Sequence, residues 1–150
     1  MKRSTKKSRI LIIITVLFMI FIFVQSALPG PISGAESGVI VDILYRLTRA
    51  DRAILTIIVR KGAHFTEYLI LGFLAALDIN SINTDKQAGL PLFKRIIIAW
   101  IIATLYAVTD EIHQAFVPER ACTFTDVCID SAGAIIGIGC QALYTLVHKM

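Results

Sequence analysis

Ile10-Leu11-Ile12-Ile13-Ile14-Thr15-Val16-Leu17-Phe18-Met19-Ile20-Phe21-Ile22-Phe23-Val24 is apolar everywhere except Thr15, and the run continues to Leu28. A bilayer core of about 30 Å calls for roughly 20 helical residues, so this stretch predicts a spanning helix. Three further blocks follow it: His64 to Leu77, Ile96 to Val117 and Val127 to Val147. The last has full spanning length. The second reaches it only when the Arg60–Glu67 end is included, and the third only when Asp110–Gln114 is. With 56% hydrophobic residues in 150, too little polar surface remains for a soluble fold. The expected fold is therefore all-α, an integral membrane bundle of about four transmembrane helices in one domain over residues 10–147.

Residues 1–9 form a basic lead, with Lys2, Arg3, Lys6, Lys7 and Arg9. Basic residues flanking a first apolar run hold that end in the cytoplasm. Four crossings then return the C-terminal end to the cytoplasm and place Gln25–Glu67 and Asp110–Asp130 outside. The formal net charge of +4 divides in the expected direction on this topology, although Arg46, Arg49, Arg52, Arg60 and Lys61 all fall on the outer side. The same N-terminal features occur in cleaved signal peptides, with Gln25-Ser26-Ala27 as a small-residue patch; the length of the apolar run favours an uncleaved helix.

Leu28-Pro29-Gly30-Pro31 interrupts helix continuation. From Val39 to Val59, Val39, Ile43, Leu47 and Ala50 recur at helical spacing among Asp42, Arg46, Arg49 and Arg52. This pattern predicts a short amphipathic outer segment rather than a span. Asn80–Gly89 reads as a polar inner loop, and Val117-Pro118-Glu119-Arg120 as an outer turn with Thr123–Thr125 as caps. Gly133-x-x-x-Gly137, with Ala132 and Gly139 nearby, offers a small-residue seam. Cys122 and Cys128 lie near the outer face, free or paired, and Cys140 is expected to pack within the membrane. Trp100, Tyr106 and Tyr144 read as packing or interfacial residues, and His148 as a tail residue.

The charges at the ends of these helices carry the functional information. Arg60, Lys61, His64 and Glu67 open one block, Asp110, Glu111, His113 and Gln114 close the next, and Asp126 and Asp130 open the last after Arg120. Spacings of three or four put His64 with Glu67, Asp110 with His113 and Gln114, and Asp126 with Asp130 on shared helix faces. Ionisable groups at membrane depth usually face a partner or a wet cavity. In one reading Arg60, Lys61 and Arg120 pair with Glu67, Asp110, Glu111, Asp126 and Asp130 and clamp three helices. In the other, these groups line an outward pocket, with carboxylate–histidine pairs suited to acid–base work. The spacings resemble carboxylate metal bundles only loosely, so no metal or other cofactor is assigned. No serine or cysteine has an evident base partner, which leaves nucleophilic catalysis unsupported.

The order Arg60-Lys61-x-Ala63-His64-x-x-Glu67-Tyr68, Tyr106-Ala107-x-x-Asp110-Glu111-x-His113-Gln114-x-Phe116-x-Pro118-x-Arg120, Asp126-Val127-x-x-Asp130-x-x-Gly133-x-x-x-Gly137 resembles the VanZ-like family over nearly the whole chain. Asp130 departs from the asparagine expected there in many members. The resemblance implies a small multi-helix membrane protein of bacteria, whose founding member is associated with low-level resistance to teicoplanin, a lipid-bearing glycopeptide. It implies membrane lipid as a partner, with a cell-wall precursor or a lipoglycopeptide as further candidates and no nucleic acid. Three functions follow as expectations: a non-enzymatic envelope protein lowering lipoglycopeptide access, an embedded enzyme acting on a lipid or wall precursor, and, ranked last, a transporter.

Overall fold

The computed structural model describes residues 2–82, 89–120 and 122–147. They form five helices: α1 Lys2–Ser26, α2 Gly30–Thr48, α3 Arg52–Ile82, α4 Leu92–Gln114 and α5 Phe124–Val147. No strand occurs among the described residues. Four helices, α1, α3, α4 and α5, are long and apolar enough to cross a membrane, and α2 is not one of them. Helix α1 begins at Lys2 and includes most of the basic lead. His148 lies outside the described residues, as does most of the polar loop expected at Asn80–Gly89.

The spanning helices alternate in direction. At one end the Ser8 hydroxyl of α1 donates to the Ser81 carbonyl of α3 at 3.0 Å. There Asn80 also receives Arg95 of α4 and donates to Gln141 of α5, both at 2.8 Å. At the other end Ser26, Gln114 and Arg120 meet, linking the end of α1 to the turn after α4. We call this the cluster end.

Packing follows the logic of a lipid solvent, in which close backbone approach replaces bulky apolar burial. The interior is rich in alanine: Ala103, Ala107 and Ala134 join Ile22, Tyr68 and Leu71 in one cluster. Ala75, Ala76 and Ala99 surround Ile138 in another. Leucine and isoleucine instead face outward along α1 and α4, for example Ile13, Leu17, Ile101 and Leu105. The tightest seam joins α3 and α5. A β-carbon added at Gly133 would meet the Phe65 carbonyl, one at Gly137 the Leu69 carbonyl, and one at Gly72 the Ala134 backbone. The expected small-residue seam is therefore Gly133–Gly137 against α3, while Gly139 meets open space and Ala132 is exposed. Cys140 is exposed on the bundle surface, contrary to the packing role expected for it.

The amphipathic stretch is not one element. Arg49 adopts a left-handed conformation (φ 58°), its N–H closing α2 on the Tyr45 carbonyl. Asp51 then caps α3, its Oδ1 accepting from Ala53 N at 2.7 Å and Ile54 N at 3.2 Å. The break folds α2 back on α3: Arg52 pairs with Asp42, and its guanidinium lies 4.3 Å from the Tyr45 ring centroid. Val39, Ile43 and Leu47 do share one face of α2, and that face is exposed.

Candidate functional site at the cluster end

Helix α3 carries 31 residues, about 46 Å at 1.5 Å per residue, which exceeds a hydrocarbon core of about 30 Å. Arg60, Lys61 and His64 lie in its first half, toward the cluster end. The end of α4 and the start of α5 join them through a short turn. Phe116 N–H donates to His113 O and Val117 N–H to Gln114 O, both at 3.0 Å. Left-handed Glu119 (φ 59°) reverses the chain, and Arg120 N–H donates to Val117 O at 3.2 Å. Thr123 caps α5 as expected, its Oγ1 accepting from Asp126 N–H at 3.3 Å.

Only part of the sequence-expected ion-pair clamp forms. Lys61 pairs with Asp126, tying α3 to α5. Arg60 and Arg120, in contrast, have no carboxylate oxygen within 4 Å among the described residues. Arg120 spends its donors on oxygen dipoles instead: Nε on Leu28 O at 3.1 Å, Nη2 on Gln25 O at 3.4 Å, and Nη1 on Gln114 Oε1 at 3.5 Å. Burial, and beside it the like charge of Arg60, hold the Arg120 pKa below its ordinary value.

Asp110 and Glu111 accept hydrogen bonds from neighbouring elements, whereas Asp130 does not. Asp110 Oδ2 accepts from the Ser26 hydroxyl at 2.8 Å and from Gln114 Nε2 at 3.1 Å. Glu111 Oε2 accepts from Thr123 N–H at 2.9 Å, so it holds the start of α5. Asp110, Glu111 and Gln114 are each buried. Asp130 is fully buried on α5, and neither carboxylate oxygen has a hydrogen-bond partner. The expected Asp110–His113 face divides: Asp110 turns to Ser26, whereas the His113 ring lies against Phe23 with centroids 4.3 Å apart. His64 Nδ1 and Glu67 Oε2 do approach each other, at 3.7 Å, and Nδ1 is buried without a hydrogen-bond partner.

Between these groups lies an open cavity of about 360 Å³, lined by Ile57, Arg60, Lys61, His64, Gln114, Glu119, Thr123 and Asp126. Of the expected cluster, Arg60, Lys61, His64, Gln114 and Asp126 face it. Glu67, Asp110, Glu111, His113, Arg120 and Asp130 stand behind or beside it. Sequence reasoning missed Ile57 and Glu119 on the wall. It also missed Ser26, whose 1% exposure and bond to Asp110 make α1 a supporting element of the site. A serine near the end of an apolar run, opposite a buried aspartate, is the only signal that would have suggested it.

The remaining polar groups are dispersed. No group of three or more His, Cys, Asp or Glu residues is arranged to hold a metal ion among the described residues. Cys122 and Cys128 are both free. The cavity wall carries two cations, Arg60 and Lys61, and two carboxylates, Glu119 and Asp126. Lys61 and Asp126 pair, leaving Arg60 without a carboxylate partner among the described residues, and His64 stands beside Glu67.

Neither the curated proteins nor the solved structures include a match to this chain. The VanZ/LLP1 family model matches residues 11–147. That span takes in α3, α4 and α5 whole, most of α1 and every residue of the cavity wall, and the chain belongs to the VanZ/LLP1 family.

Proposed function

We propose that this protein is a non-catalytic bacterial envelope protein whose cavity engages the head of a membrane amphiphile, and so lowers susceptibility to teicoplanin-type lipoglycopeptides. Both termini are cytoplasmic in this reading, and the cluster end faces outward in the cell membrane. The observation that carries it is the open cavity of about 360 Å³ at the end of the bundle, with Arg60, Lys61 and His64 on its wall. Binding pockets of about 300–1,000 Å³ hold headgroup-sized or drug-sized ligands. A cavity at the low end of that range suits a headgroup, so protection would act through the amphiphile rather than through enclosure of a whole glycopeptide.

The test is teicoplanin susceptibility of a Gram-positive host expressing wild type, His64→Ala or Asp110→Ala at matched abundance. Wild type protects, His64→Ala loses a cavity-wall group, and Asp110→Ala loses the anchor of Gln114 and Ser26. Protection unchanged in both variants would reduce the cluster to a structural clamp.

One observation favours a second reading, an embedded enzyme acting on a lipid or wall precursor. His64 and Glu67, 3.7 Å apart beside the cavity, have the arrangement of an acid–base pair that tightens on substrate binding. It predicts an altered lipid or precursor mass spectrum when the chain is deleted; unchanged spectra with intact protection would remove it.

A further inference from the structure

We propose that the cavity is an oxyanion seat for a phosphate-bearing lipid, with Arg60 as its principal cation and His64 as a supporting donor. The inference rests on the amphiphile reading above and names the chemistry of the head. It starts from an imbalance. Lys61 is neutralised by Asp126, but Arg60 has no carboxylate within 4 Å among the described residues, and its Nε is buried without a hydrogen-bond partner. A guanidinium whose Nε is buried and unbonded and which has no counter-ion is costly, and a bound anion lowers that cost.

The nearby acids do not supply the missing anion. Asp110 holds Ser26 and Gln114, Glu111 holds the Thr123 N–H, Asp126 holds Lys61, Glu67 lies beside His64, and Asp130 is fully buried on α5 with no cation within 4 Å among the described residues. Glu119 lines the cavity but is solvent-exposed. His64 also lines the cavity, its Nδ1 3.7 Å from the Glu67 carboxylate and without a hydrogen bond. A planar guanidinium fork matches the oxygens of a phosphate and binds it bidentately, which suits Arg60, with the His64 imidazole beside it, to that anion.

Depth selects a lipid source for that phosphate. Arg60 stands about 33 Å along α3 from Ile82, taking 1.5 Å per residue. The Ile82 end carries the Asn80, Arg95 and Gln141 polar network of the opposite membrane surface. A hydrocarbon core of about 30 Å then places Arg60 at the level of the lipid phosphates. Ile57, 53% exposed, gives the same wall an apolar surface for the first carbons of an acyl chain.

The experiment uses the purified full chain in dodecyl maltoside, a detergent without phosphate, and counts bound ligand by native mass spectrometry. Three probes separate the sources: didodecanoyl phosphatidic acid, its neutral twin didodecanoylglycerol, and inorganic phosphate. One phosphatidic acid per chain is expected, bound at least tenfold more tightly than either other probe. Arg60→Gln should weaken it tenfold or more, Arg60→Lys should recover part of the loss, and His64→Gln should weaken it several-fold. Cys140→Ser, on the exposed surface, serves as the unaffected control. Should Arg60→Gln fail to fold, His64→Gln and the neutral twin still decide. Equal binding of the neutral twin would overturn the phosphate seat yet leave the amphiphile reading standing. Inorganic phosphate binding as tightly as the lipid would overturn the lipid source. Absence of any bound amphiphile would overturn both.

Discussion

Asp110 shows how a carboxylate is retained at the end of a membrane helix. Its exposure is 2%, and its Oδ2 accepts from a hydroxyl of α1 and from an amide one turn along its own helix, while Oδ1 is buried without a partner. Removing one donor from a buried acceptor exposes the asymmetry of hydrogen bonding, since an unmet buried group costs about 1–3 kcal/mol. Ser26→Ala is therefore expected to destabilise the protein by about that amount in a reversible detergent melt. Asp110→Asn should couple to it in a double-mutant cycle, and strict additivity would show that the two do not act as a pair. Lys61 and Asp126 should behave differently. Their side chains are 39% and 26% exposed, so solvent screens the pair. Coupling between Lys61→Ala and Asp126→Ala is expected to stay below about 1 kcal/mol, as for other solvated ion pairs; a larger value would mean that the site is drier than its exposure implies.

At the scale of elements, the α3–α5 seam sets the cluster. Gly133 and Gly137 let α5 approach the α3 backbone, and that approach brings Asp126 to Lys61. Gly137→Leu has no room for its side chain and should cost about 2–3 kcal/mol or prevent assembly, in line with overpacking of tight cores. Gly139→Leu, which meets open space, should be tolerated. Equal melting of the two variants would discount the seam. Much of this layer was legible in the sequence. The apolar blocks gave the four spanning helices, because in lipid a long apolar run has few alternatives to a helix. The break between α2 and α3 was not legible, since Arg49 takes a left-handed conformation usually left to glycine or asparagine. Asp51 before Arg52 was a cap signal hidden within a helical period. Charge spacing correctly grouped His64 with Glu67. It could not show that Asp110 and His113 turn to different neighbours, because those partners, Ser26 and Phe23, belong to a distant helix. For the same reason the pairing of Lys61 alone, leaving both arginines without carboxylates, became visible only in three dimensions.

For the whole molecule, the alternating helices put the site at one end and a second polar network at the other, with α1 tied into both. The proposed orientation has a direct test in the native thiols. Cys122 is exposed beside the turn at the cluster end. A membrane-impermeant maleimide should label it in intact cells, and Cys122→Ser should abolish that share of the signal. Labelling only after permeabilisation would invert the topology and remove any outward role.

The claim that the cavity does the work is tested most directly by filling it while leaving its charges in place. Ile57 lines the wall without joining any hydrogen bond or ion pair described above. Ile57→Trp is therefore the variant of choice, expressed at wild-type abundance with melting and Cys122 labelling checked, and scored for teicoplanin susceptibility. The account predicts that protection falls to the level of the empty host although the fold, the Lys61–Asp126 pair and the orientation are intact. Full protection from a properly folded Ile57→Trp protein would contradict it and move the function away from this cavity.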